Sequence, residues 1–238
     1  MRFPAPLIEG TLVQRYKRFL ADIRLADGGI VTAHCANPGG MIGLKDPGLA
    51  CFLSYNDVPS RRLKHSLEVV RLADGTHVGI NTSHPNRLVE EAIADGTISE
   101  LAGYASRRRE VKYGRASRID LLLEDPDRPR CYVEVKNVHL TRPDGPFPTA
   151  AEFPDAVTAR GAKHLDELSD MVRQGHRAVM VYLVQRGDND HFRIAGDIDP
   201  AYDAALRRAL AAGVEALVYA CHVSPEAIVV EKRLPMVL

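Results

Sequence analysis

The 238-residue chain has no tryptophan, 6% aromatic residues and no net charge, because 31 Lys and Arg balance 31 Asp and Glu. Each lack excludes something. A balanced chain has no global positive field, so any nucleic-acid binding needs a local basic patch. The cysteines, Cys35, Cys51, Cys131 and Cys221, contain no close pair. That excludes a zinc ribbon or a redox CxxC, and they read as small buried hydrophobes with reduced thiols. No run approaches the about 18 consecutive apolar residues of a membrane helix. The start, Met1-Arg2-Phe3-Pro4-Ala5-Pro6, carries no long apolar stretch. The expected location is the cytoplasm, with no membrane partner. What remains is ordinary: 45% hydrophobic and 26% charged residues, enough for one large domain or two small ones.

The pattern changes along the chain. Up to residue 84 it reads as β structure, with Gly29-Ile30-Val31-Thr32-Ala33-His34 and Ala50-Cys51-Phe52-Leu53-Ser54-Tyr55 as strands. Asn37-Pro38-Gly39-Gly40 is a loop. Ile23-Arg24-Leu25-Ala26-Asp27-Gly28 recurs as Val70-Arg71-Leu72-Ala73-Asp74-Gly75, each copy a strand entering an Asp-Gly turn. Two such hairpins in a short span predict a small OB-like barrel over residues 1–84. From residue 85 helices and strands alternate. Asn86–Ile93 forms a helix that Gly96 ends. Strands are expected at Arg108–Val111, Arg118–Glu124, Cys131–Asn137, Ala178–Gln185 and Ala216–His222. Helices are expected at Ala156–Arg173 and Pro200–Ala212. The longer helix places Val157, Leu165, Leu168 and Val172 on one stripe against a sheet. Residues 85–238 therefore read as an α/β domain with a mixed sheet, α+β for the whole chain.

Chemistry concentrates on two neighbouring strands. Asp120 interrupts the apolar run Ile119–Leu123, and a buried carboxylate needs a counter-charge, a metal or a strand end. The turn Asp125-Pro126-Asp127-Arg128-Pro129-Arg130, with two prolines expected to end any ladder, leads to Cys131-Tyr132-Val133-Glu134-Val135-Lys136. Strand alternation puts Glu134 and Lys136 on one face. If the strands pair, Asp120 and Glu134 converge. Two carboxylates suit Mg²⁺ or Mn²⁺, and Lys136 can orient water or neutralise phosphate charge. Spacing alone leaves two alternatives, a hydrolytic kit and a buried ion pair. On the first helix, periodicity does not choose between Glu90 and Glu91 as a further carboxylate.

Basic residues form local groups. Arg15, Lys17 and Arg18 surround Tyr16 and Phe19 on an expected barrel strand, and Arg61, Arg62 and Lys64 form a loop run. Arg107, Arg108, Arg109, Lys112, Arg115 and Arg118 lead toward Asp120. Arg160, Lys163 and His164 share one side of the long helix and could bind phosphate, or pair with Glu167. Cations beside aromatics are what base stacking and phosphate tracking require. His34 beside Cys35 has no second ligand pair, and Ser117 has no His/Asp arrangement to activate it.

The Asp120 and Glu134-x-Lys136 pairing resembles the PD-(D/E)xK restriction-endonuclease-like superfamily. More specific are Phe3-Pro4-x-Pro6-Leu7-Ile8-Glu9-Gly10, Arg15–Asp22, Asn86-Arg87-Leu88-Val89-x-Glu91-Ala92-Ile93, Val111–Gly114, Ser117–Asp120, Phe153–Gly161 and Leu234-Pro235-x-Val237-Leu238. Together they resemble the sugar fermentation stimulation protein A family along essentially the whole chain. Gly40 departs from the serine often found there. The resemblance implies an N-terminal OB-like domain for nucleic acid, a restriction-endonuclease-like C-terminal domain, DNA binding and a role in regulating sugar (maltose) metabolism genes. It selects Glu91 over Glu90 as the third carboxylate. Three functions stay open: a Mg²⁺- or Mn²⁺-dependent nuclease, a non-catalytic DNA-binding regulator, and an RNA-binding or RNA-processing protein. Self-association stays open as well.

Overall fold

Two Asp-Gly turns shape the first strands. Gly28 and Gly75 have φ of 85° and 91°, which a side chain would disfavour. In the computed structural model, which describes residues 1–114 and 117–238, these turns close two hairpins. The strands are β1 (Ile8–Tyr16), β2 (Leu20–Leu25), β3 (Ile30–His34), β4 (Ala50–Tyr55), β5 (His65–Arg71) and β6 (His77–Gly79). Their order is β3-β2-β1-β4-β5-β6, and parallel pairing of β3 with β5 closes a five-stranded OB-like barrel. Leu12, Ile23, Ala33, Leu53, Leu67 and Val70 fill it. Burying such side chains stabilises by roughly 1.5–3 kcal/mol each.

The chain continues through α1 (Pro85–Ala94), β7 (Ser106–Tyr113), β8 (Ser117–Asp125), β9 (Arg128–Val138), β10 (Ala150–Phe153), α2 (Ala159–Arg173), β11 (Arg177–Val184), β12 (His191–Ile194), α3 (Pro200–Ala211), β13 (Glu215–Val223), β14 (Ile228–Arg233) and β15 (Met236–Val237). A mixed sheet has the order β14-β13-β11-β9-β8-β7. Its centre, β9, β11 and β13, is parallel, and the flanking pairs are antiparallel. Parallel neighbours need crossovers, which α2 and α3 supply. Leu165, Leu168, Tyr202 and Leu206 from these helices cover one face. Leu88, Val89 and Ile93 of α1 cover the other, joined by Phe52 and Val69 from the barrel. A small parallel sheet, β10-β12-β15, stands beside it. All four cysteines are buried and free. No helix among the described residues is long and apolar enough to cross a membrane.

Two expectations are corrected. Helix α2 starts at Ala159 rather than Ala156, because the Thr158 side chain caps it by accepting the Gly161 N–H at 3.1 Å. Val157 therefore lies outside the helix, 76% exposed, and takes no part in the packed stripe. The two prolines after Asp125 do not end the ladder either. Asp125 pairs with Arg128, and Pro129 lies inside β9 where the register shifts, a place that needs no ladder donor.

Barrel and sheet are tied by two carboxylates, one buried and one half-buried. Glu68 on β5 accepts from Ser54 Oγ at 2.6 Å, Asn81 Nδ2 at 2.8 Å and His84 Nε2 at 2.7 Å. His84 leads directly into α1, so Glu68 fixes where that helix begins. Asp155, just before α2, accepts the Met41 N–H from the barrel side at 3.1 Å. Burial pushes Glu68 up, but its bonds to His84 and Ser54 outweigh this and hold it below its ordinary 4.5. A depressed carboxylate stabilises the fold above its unfolded pKa and loses that effect as pH falls through the folded value. Glu68→Ala, which strands three partners, should lose on the order of 2–5 kcal/mol in urea unfolding at neutral pH. The gap between wild type and Glu68→Gln should narrow as pH falls below 4.5. A gap that widens in acid would contradict the role given to Glu68.

Candidate active site at the fork of the sheet

Strands β8 and β9 pair only from Leu121 opposite Val133 toward the turn. Beyond that point β8 stays with β7, through Ile119 opposite Val111, while β9 stays with β11, through Lys136 opposite Tyr182. The sheet forks. A fork strands backbone donors, and Asp120 meets one of them: its Oδ2 accepts the Val135 N–H at 2.8 Å. Asn86, in the first turn of α1, donates to Oδ1 at 2.9 Å. Asp120 is thus fixed where the β8–β9 pairing ends, by a backbone bond and a helix side chain.

Glu134 faces α2, as strand alternation requires. Its Oε1 accepts from Lys136 Nζ at 2.7 Å and from His164 Nδ1. Arg160 Nε donates to the other ring nitrogen of His164 at 3.3 Å. Both contacts are satisfied together when Nδ1 carries the proton and Nε2 accepts. Glu134 is 2% exposed, and its Oε2 is buried with no hydrogen-bond partner among the described residues. The ion pair that the spacing allowed is present. Lys136 does pair with Glu134, yet one carboxylate oxygen stays unsatisfied.

The two carboxylates titrate apart. Burial, then the nearby Glu134 charge, push Asp120 up to about 6. Burial also pushes Glu134 up, but the His164 hydrogen bond and the Lys136 charge outweigh it and hold Glu134 below its ordinary value. A like charge beside a buried carboxylate favours a proton or a cation. The lone Oε2 and the oxygen-rich donor set fit a hard divalent cation. No group of three His, Cys, Asp or Glu side chains arranged to hold a metal occurs among the described residues.

Glu91, the carboxylate that the resemblance selects, is engaged away from Asp120. Glu91 is held by the Met1 amine at 2.8 Å and Arg87 at 2.7 Å. The side chain of α1 that reaches Asp120 is Asn86. Glu90 pairs with Arg109 instead. Two further groups are buried near the fork. Glu167, on α2, has both oxygens without a hydrogen-bond partner among the described residues, with Lys163 Nζ at 3.6 Å. The Tyr113 hydroxyl likewise has no partner among the described residues. Burial, then the charges of Glu134, Glu167 and Asp120, raise Tyr113 far above its ordinary value. Helical spacing was the available signal: Glu167 lies three residues beyond His164, on the same side.

The basic residues separate into two kinds. Arg15 donates to the carbonyls of Arg18, Asn37 and Gly39 at 2.8–3.1 Å, so it braces a loop instead of facing solvent. Lys17 and Arg18 sit in the β1–β2 turn with φ of 49° and 63°, exposed, not on a strand as expected. On the edge strand β7, Arg109 is paired with Glu90, and Arg108 with Glu124 at 2.8 Å. Arg107, Lys112 and Arg118 are exposed with no ion-pair partner among the described residues, and Lys112 stands opposite Arg118. Arg115 lies outside the described residues. Arg160 and Lys163 are exposed on α2, above Glu134 and Glu167.

Comparison with known proteins agrees on one family. The chain matches the description "Sugar fermentation stimulation protein RE domain" over residues 83–227 and "SfsA N-terminal OB domain" over residues 13–80. A sugar fermentation stimulation protein homolog from Rhodospirillum centenum is 63% identical, covering 98% of each chain. One from Maricaulis maris is 58% identical, covering 98% of this chain and 97% of its own. A solved structure described as Pyrococcus furiosus SfsA in complex with Ca²⁺ has a TM-score of 0.89 at 25% identity, covering 100% of this chain and 98% of its own.

Stability should report the fork directly. Asp120→Asn keeps an oxygen for the Val135 N–H but removes the like charge beside Glu134. In chelator it is expected to melt at or above wild type. Asp120→Ala strands the N–H and should lose about 1–3 kcal/mol. Equal destabilisation of both variants would contradict this account.

Proposed function

This chain belongs to the sugar fermentation stimulation protein family, and we propose that it binds nucleic acid and hydrolyses phosphodiesters at the fork of its sheet. The observation that carries the proposal is the buried, unpartnered Oε2 of Glu134 beside Asp120, with Lys136 on the same face. A fold has little reason to keep such an oxygen unless something binds it. The Ca²⁺ in the Pyrococcus furiosus relative supports a divalent cation as that ligand. Asp120 and Glu134 would hold it here, in the manner of a PD-(D/E)xK site, with Mg²⁺ or Mn²⁺ as the working ion. When bound, the cation supplies Lewis acidity to the phosphate and a lowered pKa to bound water.

The chain's own residues do the rest. Asn86 and the Val135 N–H hold Asp120 in place. His164 and Lys136 occupy one oxygen of Glu134 and leave the other free for a ligand. Lys136, half-buried, offers its ammonium to the charge that develops on phosphate. Arg107, Lys112 and Arg118 lie on the edge hairpin leading to Asp120 and are placed to track a phosphate backbone toward it. Arg160 and Lys163 stand on the opposite wall. Water attacks phosphorus, one P–O bond breaks, and a phosphate monoester and a hydroxyl end result.

A second reading has its own observation. Glu91 is engaged elsewhere, and no three-residue metal group forms among the described residues. That favours a family member that binds DNA, as a regulator of sugar metabolism genes, without cleaving it. DNA and RNA substrates incubated with Mg²⁺ or Mn²⁺ separate the readings. Wild type should cleave, and Lys136→Ala should cut on the order of 10²–10³ more slowly. Equal traces of cleavage in both proteins would leave the regulator. Competition of bound DNA by RNA tests the RNA-binding alternative. Replacing Arg107, Lys112 and Arg118 by Ala should weaken binding of either polymer and flatten its log K against log salt slope by roughly 2–3.

A further inference from the structure

Three buried polar groups lie between α2 and the strands β7, β8 and β9 without a hydrogen-bond partner among the described residues. They are Glu134 Oε2, both oxygens of Glu167, and the Tyr113 hydroxyl. Glu134 is 2% exposed, Glu167 5% and Tyr113 8%. Buried polar atoms are normally satisfied, and a cluster of exceptions marks an ordered water or an ion. The groups are complementary: the phenol donates, and the carboxylates accept. His164 and Glu167 are three residues apart on α2, so the helix face that touches Glu134 also presents Glu167. Gly114, at the end of β7, packs against Glu167; a Cβ there would lie 3.0 Å from Glu167 Oε1. The β7 end therefore closes over this compartment. Lys163, at 3.6 Å and mostly in solvent, is a weak counter-charge for so buried a carboxylate.

We infer that Glu167, rather than Glu91, is the third carboxylate of the cation site, and that it acts through the cation's water shell together with the Tyr113 hydroxyl. The inference rests on the divalent-cation reading of the fork. Water mediation accounts for two facts at once. Three carboxylates do not converge as direct ligands, and yet Glu134 and Glu167 both keep oxygens free. A hard cation such as Mg²⁺ retains several waters, which donate to just such oxygens. Residues of this outer kind orient ligands and typically change metal affinity by about 10- to 100-fold. Glu167 is thus a positioning residue, not a catalytic one.

The same geometry gives a signature that a merely structural glutamate would not show. An unsatisfied buried charge weakens the metal-free fold, whereas a structural Glu167–Lys163 pair would strengthen it. The test is thermal melting and calorimetric titration with Ca²⁺ or Mg²⁺ alone, on the full chain, without nucleic acid. In chelator, Glu167→Gln should melt at or above wild type. Its cation-induced rise in melting temperature should shrink, with affinity about 10- to 100-fold lower. Glu91→Gln should keep the wild-type affinity, and Glu134→Gln should lose binding. Tyr113→Phe, which removes only the hydroxyl, should weaken affinity several-fold and decides the matter if Glu167→Gln does not fold. Wild-type affinity in Glu167→Gln, with binding lost in Glu134→Gln, overturns this inference alone. Absence of any cation effect on wild type overturns both it and the cation-dependent reading of the fork.

Discussion

The hydrogen bond from the Val135 N–H to Asp120 is what the site depends on. A continuous β8–β9 ladder would satisfy Val135 with a backbone carbonyl and leave Asp120 no structural task. The strands separate after the Leu121–Val133 pair, and each keeps its outer neighbour. Separation costs ladder bonds, which must be replaced where the groups are buried. A carboxylate can do this while still offering lone pairs to a further ligand. The fork thus makes one side chain both a substitute for sheet structure and a candidate cation ligand. It also brings Glu134 to the same level from the other strand, with α2 closing over it through His164.

Much of this was legible from residue order. Asp-Gly turns and alternating strands predicted the barrel, and the Gly28 and Gly75 dihedrals supply the reason. Alternation put Glu134 and Lys136 on one face, where they hydrogen-bond. Other parts were not legible, because they depend on contacts distant in sequence. Helical periodicity left Glu90 and Glu91 equivalent, and nothing local says that the chain's own first residue returns to claim Glu91. Arg15 looked like a surface cation until the loop carbonyls of Asn37 and Gly39 required a donor. Glu167 looked like a surface partner for the cations of α2, and nothing local says that Gly114, distant in sequence, packs against it. Val157 fitted an apolar stripe, but a capping threonine one residue later ended the helix before it. Local pattern sets the elements, whereas partners decide what a charged side chain does.

The edge strand shows the same principle with cations. An exposed sheet edge invites pairing with another chain, and Lys and Arg along it discourage that. By that argument alone β7 needs its basic residues whatever the protein binds. The partners separate the two roles. Arg108 and Arg109 are neutralised by Glu124 and Glu90, and so shape the edge and its contact with α1. Arg107, Lys112 and Arg118 have no such partner among the described residues. Lys112 and Arg118 face each other across the hairpin, two residues from Asp120 in the case of Arg118. Like charges held side by side repel, and a phosphate between them relieves that repulsion. In a chain without net charge, the proposed binding of a polyanion needs a local group of this kind. It stands beside the two carboxylates that repel each other and whose charge a cation would balance. Positive charges in want of an anion next to negative ones in want of a cation are what a metal-bridged phosphate satisfies together.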